Sequence, residues 1–316
     1  MIYNKLGDTG LKVSAVSLGT LTLGPLQLDF SYSKGGELIR NACDLGINLF
    51  DTAEIYKTYG HLKYAKLPSD GSSFIVSKSY ACDFDSMKLS VKKAIEETQR
   101  PFIDIFMLHQ QESELTLKGH KGALDYLIQA KKDGLIKFIG ISTHHINAVK
   151  ASFLYDEIEV IFAVLNYKGL GIMDGTREEM ELALNEAYKR GKGILIMKAF
   201  GGGHFFRETK KALEYVSCLP FVSSVVIGAQ CIEEIKMNSL FATGKTAPLE
   251  LEKTVAGKKR QLNIEFESCI GCGNCAARCP QKAITIVNGK AVVNHSACVL
   301  CAYCASVCGD FCIEVI

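Results

Sequence analysis

Eight short apolar runs, nearly continuous, recur between residues 13 and 229 of this 316-residue chain. They lie at 13–20, 47–51, 74–79, 103–109, 136–143, 159–166, 194–199 and 222–229. A strand with one wet face alternates apolar and polar residues; a strand buried on both faces reads as an unbroken apolar run, and parallel sheets are made of such strands. Segments of helical periodicity separate the runs, at 35–45, 85–99, 120–133, 146–154, 176–190, 208–218 and 231–241. Between 56 and 74 only a short helix around 61–66 fits. Eight strand–helix units in about 230 residues suit a closed (β/α)8 barrel, with an open doubly wound sheet as the competing arrangement. Before the first unit, Gly7-Asp8-Thr9-Gly10 between two short apolar stretches signals a hairpin.

Beyond the barrel the composition changes. Residues 244–263 are polar and basic and read as a linker between a domain at 1–243 and a second at 264–316. Of 13 cysteines, nine fall between Cys269 and Cys312. In a reducing compartment such a cluster signifies metal or iron–sulfur ligation rather than disulfides. The run Cys269-x2-Cys272-x2-Cys275-x3-Cys279-Pro280 recurs 29 residues later as Cys298-x2-Cys301-x2-Cys304-x3-Cys308. The same register carries 284–286 onto 313–315, a short strand after each run, so the domain is an internal duplication. Pro280 maps to Gly309, and Cys312 maps to Ala283, which reads Cys312 as a small buried residue rather than a ligand.

The formal net charge of +2 gives no argument for nucleic acid or an anionic membrane. No apolar run approaches the roughly 20 residues of a spanning helix, and the first residues have no signal-like apolar core. The expectation is a soluble cytoplasmic protein.

Active sites of (β/α)8 barrels lie at the C-terminal ends of the strands. Those ends carry Thr20, Asp51, Lys78 with Ser79, His109, Ser142 with Thr143, Asn166, Lys198 and Ala229. A loop tyrosine, Tyr56, follows Asp51. These are the groups a carbonyl reduction needs. A phenol can donate a proton to a developing alkoxide, and a neighbouring ammonium lowers its pKa from about 10. A buried ammonium requires a carboxylate to offset its desolvation. An imidazole can orient the substrate oxygen.

Five stretches carry a resemblance to the aldo-keto reductases: Phe50-Asp-Thr-Ala-Glu-Ile-Tyr56, Ile75-Val-Ser-Lys78, Asp104-Ile-Phe-Met-Leu-His109, Gly134-Leu-Ile-Lys-Phe-Ile-Gly-Ile-Ser142, and Val226-Ile-Gly-Ala229 with Asn238 behind it. The likeness spans about residues 1–243. It implies that Tyr56 is the general acid in reduction and base in oxidation, that Lys78 lowers its pKa, that Asp51 pairs with Lys78, and that His109 orients the carbonyl. It implies a nicotinamide, NADP(H) or NAD(H), across the barrel mouth, touching Gly19, Thr20, Ser142, Met197, Gly228, Gln230 and Asn238. Three positions depart from the family pattern. Phe162 stands where many members have a glutamine, Met197 where many have a stacking tyrosine, and Gln230 where an arginine often meets the 2′-phosphate. Gly201-Gly-Gly-His204 resembles a loop that approaches a phosphate in this family, with a plain flexible loop as the alternative. Tyr59 competes with Tyr56 as the phenol, and His144-His145 read as surface or cap residues.

The duplicated cysteine run resembles a bacterial ferredoxin with two [4Fe–4S] clusters. That likeness implies that Cys269, Cys272, Cys275 and Cys308 hold one cluster and Cys298, Cys301, Cys304 and Cys279 the other, since the fourth cysteine of each run crosses over. The expected function is reversible hydride transfer between NAD(P)H and an aldehyde or ketone, with an electron-transfer domain attached and a redox protein as a possible partner beside the carbonyl or alcohol substrate. The competing reading is an iron–sulfur electron carrier whose barrel is a docking scaffold.

Overall fold

The computed structural model describes residues 1–316. Strands β1 (Tyr3–Lys5) and β2 (Lys12–Ser14) form the antiparallel hairpin, with Tyr3 opposite Ser14. Eight parallel strands follow: β3 (Val16–Gly19), β4 (Leu49–Asp51), β5 (Phe74–Ser79), β6 (Ile103–Leu108), β7 (Ile136–Thr143), β8 (Val160–Val164), β9 (Gly193–Met197) and β10 (Ser224–Gly228). Strand β10 pairs back onto β3, Val225 against Val16, so the sheet closes into a barrel and the open arrangement is excluded.

Two apolar layers hold it. Residues such as Ile39, Val91, Leu127 and Leu184 pack the helices against the outer face of the strands. Leu49, Val76, Ile105, Met107, Phe162 and Leu195 fill the interior, joined by Leu6 and Val13 from the hairpin. The hairpin closes the N-terminal end, where the Asp8 amide donates to the Gly191 carbonyl ahead of β9 (2.8 Å).

The helices are α1 (Tyr32–Asp44), α2 (Tyr59–Ala65), α3 (Phe84–Thr98), α4 (Glu114–Gly119), α5 (Lys121–Lys132), α6 (Ile146–Ala151), α7 (Arg177–Lys189), α8 (Thr209–Ser217) and α9 (Ile232–Ala242). None is long and apolar enough to cross a membrane. The second unit has only the seven-residue α2, which still buries Tyr59, His61, Leu62 and Ala65. The segment read as a linker holds a further helix, α10 (Leu249–Ala256). Pro248 is its N-cap, and Leu251 and Val255, four residues apart, pack into the outer barrel layer.

The small domain is built twice from one pattern. Strand β11 (Leu262–Ile264) precedes the first cysteine run, α11 (Asn274–Arg278) lies within it, and β12 (Ile284–Val287) follows. Strand β13 (Lys290–Val293) precedes the second run and β14 (Ile313–Val315) follows. The halves exchange partners: β11 pairs with β14, and β12 with β13. The β12–β13 turn is Asn288-Gly289 with both φ angles positive, the conformation a tight hairpin selects. The duplication extends to the backbone. Gly271 and Gly273 adopt φ of 70° and 81°, and their counterparts Leu300 and Ala302 adopt 54° and 67°.

This domain sits on the C-terminal rim of the barrel. The Val315 amide donates to the Gly202 carbonyl (2.8 Å), and His204 Nε2 is hydrogen-bonded to the Ile313 carbonyl (2.9 Å). Phe311 is buried there, with Lys198 Nζ 4.3 Å from its ring centroid and the His144 ring edge-on at 5.8 Å.

Candidate active site at the barrel mouth

Side chains two apart on a strand share a face. Leu49 and Val76 face the interior, so Asp51 and Lys78 face it one layer nearer the mouth. Met107 likewise directs His109 inward. Lys78 Nζ lies 2.5 Å from Asp51 Oδ1 and donates to the Thr52 carbonyl at 2.7 Å. The paired side chains are 1% and 6% exposed. Burial pulls the Lys78 pKa down and the Asp51 pKa up, and each partner's charge opposes that shift. A buried ammonium and carboxylate in contact are held as an ion pair, since either alone would be strongly penalised.

The Tyr56 loop is fastened from both sides. Glu54 Oε2 accepts from Ser79 Oγ and Ser90 Oγ, both at 2.8 Å. Thr58 Oγ1 is bonded to Thr52 Oγ1 and Thr20 Oγ1, both at 2.7 Å, and Thr20 also donates to the Asp51 carbonyl. Between these anchors the half-buried Tyr56 ring sits with its centroid 5.0 Å from Lys78 Nζ and 5.9 Å from the His109 ring. Burial, then the Asp51 carboxylate, push the Tyr56 phenol well above its ordinary pKa, with smaller contributions from Tyr80, Glu314 and Glu265. This is opposite in direction to the lowering expected from Lys78, whose ammonium is engaged by Asp51. His109 is held neutral by burial, then by the charges of Lys78 and His144. Its Nδ1 is buried without a partner, and Tyr80 stacks on it at 4.3 Å. Tyr59 is not the phenol: it is core, bonded through its hydroxyl to Ser77 (2.7 Å).

A cavity of about 940 Å3 opens from Asp51 and Tyr56. Gly19, Met197, Gly228, Gln230 and Asn238 line it, as does Phe162. Thr20 and Ser142 do not reach its wall: both are buried, Thr20 in the hydroxyl chain and Ser142 accepting from the Gln110 amide (2.9 Å). At the Gln230 end Lys258 and Arg260 join the wall, the latter paired with Glu234. Glu234 also accepts from the Gln230 amide (2.8 Å). In the sequence both cations fall within the stretch that reads as a linker; the signal for their place here is the Lys258-Lys259-Arg260 cluster itself. The glycine loop at 201–203 bonds strand β14, and a Cβ on Gly203 would lie 2.0 Å from the Val315 carbonyl oxygen. His144 is an interface residue against Phe311, not a surface cap.

The small domain closes part of the mouth. Leu300, Glu314, Val315 and Ile316 line the same cavity as Tyr56. Glu314 is bonded to Gln27 Nε2 (2.6 Å) and paired with Lys198 Nζ (3.2 Å). Within that domain, Cys269, Cys272, Cys275 and Cys308 surround one cavity, joined by Cys312. Cys279, Cys298, Cys301 and Cys304 surround another. No three metal-binding side chains converge tightly enough for a single ion. The chemistry of each four-thiol set suits a [4Fe–4S] cluster, which those cysteines would hold. Amides of Ala283 and Ala291 already donate to the sulfurs of Cys279 and Cys269 (3.3 and 3.4 Å).

Known proteins resemble the chain in both parts. Residues 15–216 match the aldo/keto reductase family and residues 261–309 the 4Fe-4S dicluster domain. L-galactose dehydrogenase of Arabidopsis thaliana is 28% identical over 279 residues, covering 74% of this chain and 85% of that protein. The oxidoreductase YqkF of Bacillus subtilis is 25% identical over 317 residues, covering 83% and 97%. The holo form of aldo-keto reductase AKR11C1 from Bacillus halodurans superposes with a TM-score of 0.65 over 81% of this chain and 95% of that one; at 19% identity the likeness is one of fold. A closed parallel barrel with an Asp–Lys pair under a tyrosine, matched over most of its length, thus belongs to the aldo/keto reductase family, and this member carries a 4Fe-4S dicluster domain behind the barrel.

Proposed function

We propose that the chain reduces an aldehyde or ketone with a nicotinamide dinucleotide bound in the barrel-mouth cavity, Tyr56 acting as proton donor, and that its small domain holds two [4Fe–4S] clusters through the two four-cysteine sets. The observation that carries this reading is the buried Lys78–Asp51 pair directly beneath the Tyr56 ring, with His109 beside it. A bound nicotinamide would supply the hydride, and bound clusters would supply one-electron exchange.

The chain's own residues supply the rest. The raised pKa keeps Tyr56 protonated at neutral pH, the form a donor must start in. Once the phenol has given its proton, Lys78 is the nearest cation to the phenolate, and Asp51 holds that ammonium in place. Neutral His109 has an imidazole free of charge competition with Lys78, suited to holding a carbonyl oxygen by a hydrogen bond. The cavity's size supports an extended ligand, and Arg207, Lys210, Lys258 and Arg260 on its wall supply charge for phosphates.

The apolar Phe162 and Met197 on that wall favour the competing scaffold reading. Titrating the cluster-loaded protein with NADPH and NADH separates the two. Saturable binding of either, with turnover of simple aldehydes, is the expected result; no binding of either promotes the electron carrier.

A further inference from the structure

We infer that the ligand site is a two-domain site: the iron–sulfur domain supplies part of the nicotinamide-binding wall, with Glu314 as a positioning residue, so that cluster assembly and dinucleotide binding are thermodynamically linked. The inference rests on the dinucleotide reading above and deepens it.

The segment 308–316 joins the two events. It begins at Cys308, one of four thiols around the first cysteine cavity. It turns at Phe311, whose φ is +47° and whose amide donates to the Cys308 carbonyl (3.3 Å). Phe311 is the buried anchor against the barrel, and β14 then runs along the glycine loop, with its Glu314 and Val315 and the following Ile316 on the cavity wall. From the second cysteine run, Leu300, set between Cys298 and Cys301, reaches the same wall. A domain of this size has little apolar core: its packed cluster holds nine buried residues, four of them cysteines. Ordering of the segment therefore depends on what the cysteines bind.

Glu314 has a specific task at that wall. Phe162 and Met197 offer a carboxamide no amide or carboxylate, and Asp51 is engaged by Lys78. Of the carboxylates on the cavity wall, Asp51 and Glu314 are the two whose charge reaches the Tyr56 phenol, and Gln27 and Lys198 fix the direction of Glu314. Each of its oxygens accepts one bond, from Gln27 or Lys198, and keeps a lone pair for a carboxamide N–H.

Linkage is reciprocal: whatever factor cluster assembly adds to dinucleotide affinity, the dinucleotide adds to cluster retention. The test uses full-length, cluster-loaded protein and follows nucleotide fluorescence. Gly203→Ala, at the edge of the cavity wall, displaces β14 from the barrel without altering a cysteine, Tyr56, Lys78 or Asp51, since its Cβ would meet the Val315 carbonyl oxygen at 2.0 Å. Glu314→Ala removes the acceptor. Both variants are expected to bind the preferred dinucleotide at least about fivefold more weakly with cluster absorbance unchanged. In the wild type, dinucleotide is expected to slow bleaching of the clusters by an iron chelator. Unchanged affinity in both variants overturns the two-domain site and leaves the dinucleotide reading standing. If the variants fail to load clusters, the wild-type arm decides: bleaching at the same rate with bound dinucleotide overturns the linkage. No binding by the wild type overturns both readings.

Discussion

Lys78 and Asp51 form a contact ion pair of 2.5 Å inside the barrel, and neither side chain is more than 6% exposed. Removing one partner leaves the other charge buried and uncompensated, whereas replacing both with apolar residues does not. Lys78→Met is expected to destabilise the barrel by about 3–5 kcal/mol. The double variant Asp51→Leu/Lys78→Met is expected to recover most of that loss while remaining inactive. Urea unfolding followed by far-ultraviolet ellipticity measures both; a single variant as stable as wild type would contradict the pairing.

Acid should loosen the barrel mouth before it reaches the carboxylates. Burial, followed by neighbouring cations, holds His109 and His144 well below their ordinary pKa. In the unfolded chain each takes up a proton near pH 6.5, while the folded chain does not, so the unfolded state binds more protons below that pH. Stability is full above about pH 6.5 and falls as pH drops toward the folded pKa values, by up to about 1.4 kcal/mol per pH unit for each histidine. Melting temperature measured from pH 7.5 to about 5 should decline, and less steeply in His109→Gln. Equal slopes would show that His109 charges in the folded protein.

The cysteine runs make a contrast between two glycines. Gly271 and Gly273 both require positive φ, but a Cβ on Gly271 would lie 2.0 Å from the Gly289 carbonyl oxygen, while one on Gly273 meets nothing nearer than Ile286 at 4.0 Å. Gly271→Ala should prevent assembly of the first cluster, halving iron content. Gly273→Ala should load fully and unfold slightly sooner, by about 1 kcal/mol, as its counterpart Ala302 already tolerates. Iron and sulfide per chain decide it; equal loading would contradict the close approach.

The barrel and the cysteine duplication are legible because both are written in local pattern. Continuous apolar runs mark β3 to β10, and the 29-residue register carries the backbone of Gly271 and Gly273 onto Leu300 and Ala302. Asp51, Lys78 and His109 stand at strand ends in the sequence, and Tyr56 in the loop after the first of them is singled out over Tyr59 by the resemblance to the family pattern. What sequence does not reveal is what one module does to the other. Glu314 and Leu300 reach the cavity from the far end of the chain, and no periodicity announces that β14 will lie along Gly202 and Gly203. The direction of the Tyr56 pKa is hidden for the same reason: burial in the fold, with Asp51 close by, outweighs the one ammonium a linear motif displays. Helix α10 was legible in part, in Pro248 followed by Leu251 and Val255, but its charged residues resemble a linker.

The central claim is that Tyr56 gives the proton, and Tyr56→Phe tests it most directly. The ring and its contacts with Lys78 and His109 remain, and only the hydroxyl is lost. Dinucleotide binding and cluster absorbance should match wild type, while NAD(P)H-dependent reduction of an aldehyde should fall by a factor of about 10²–10⁴, the range for loss of a general acid. Turnover retained at the wild-type rate in a protein that still binds dinucleotide would contradict the account.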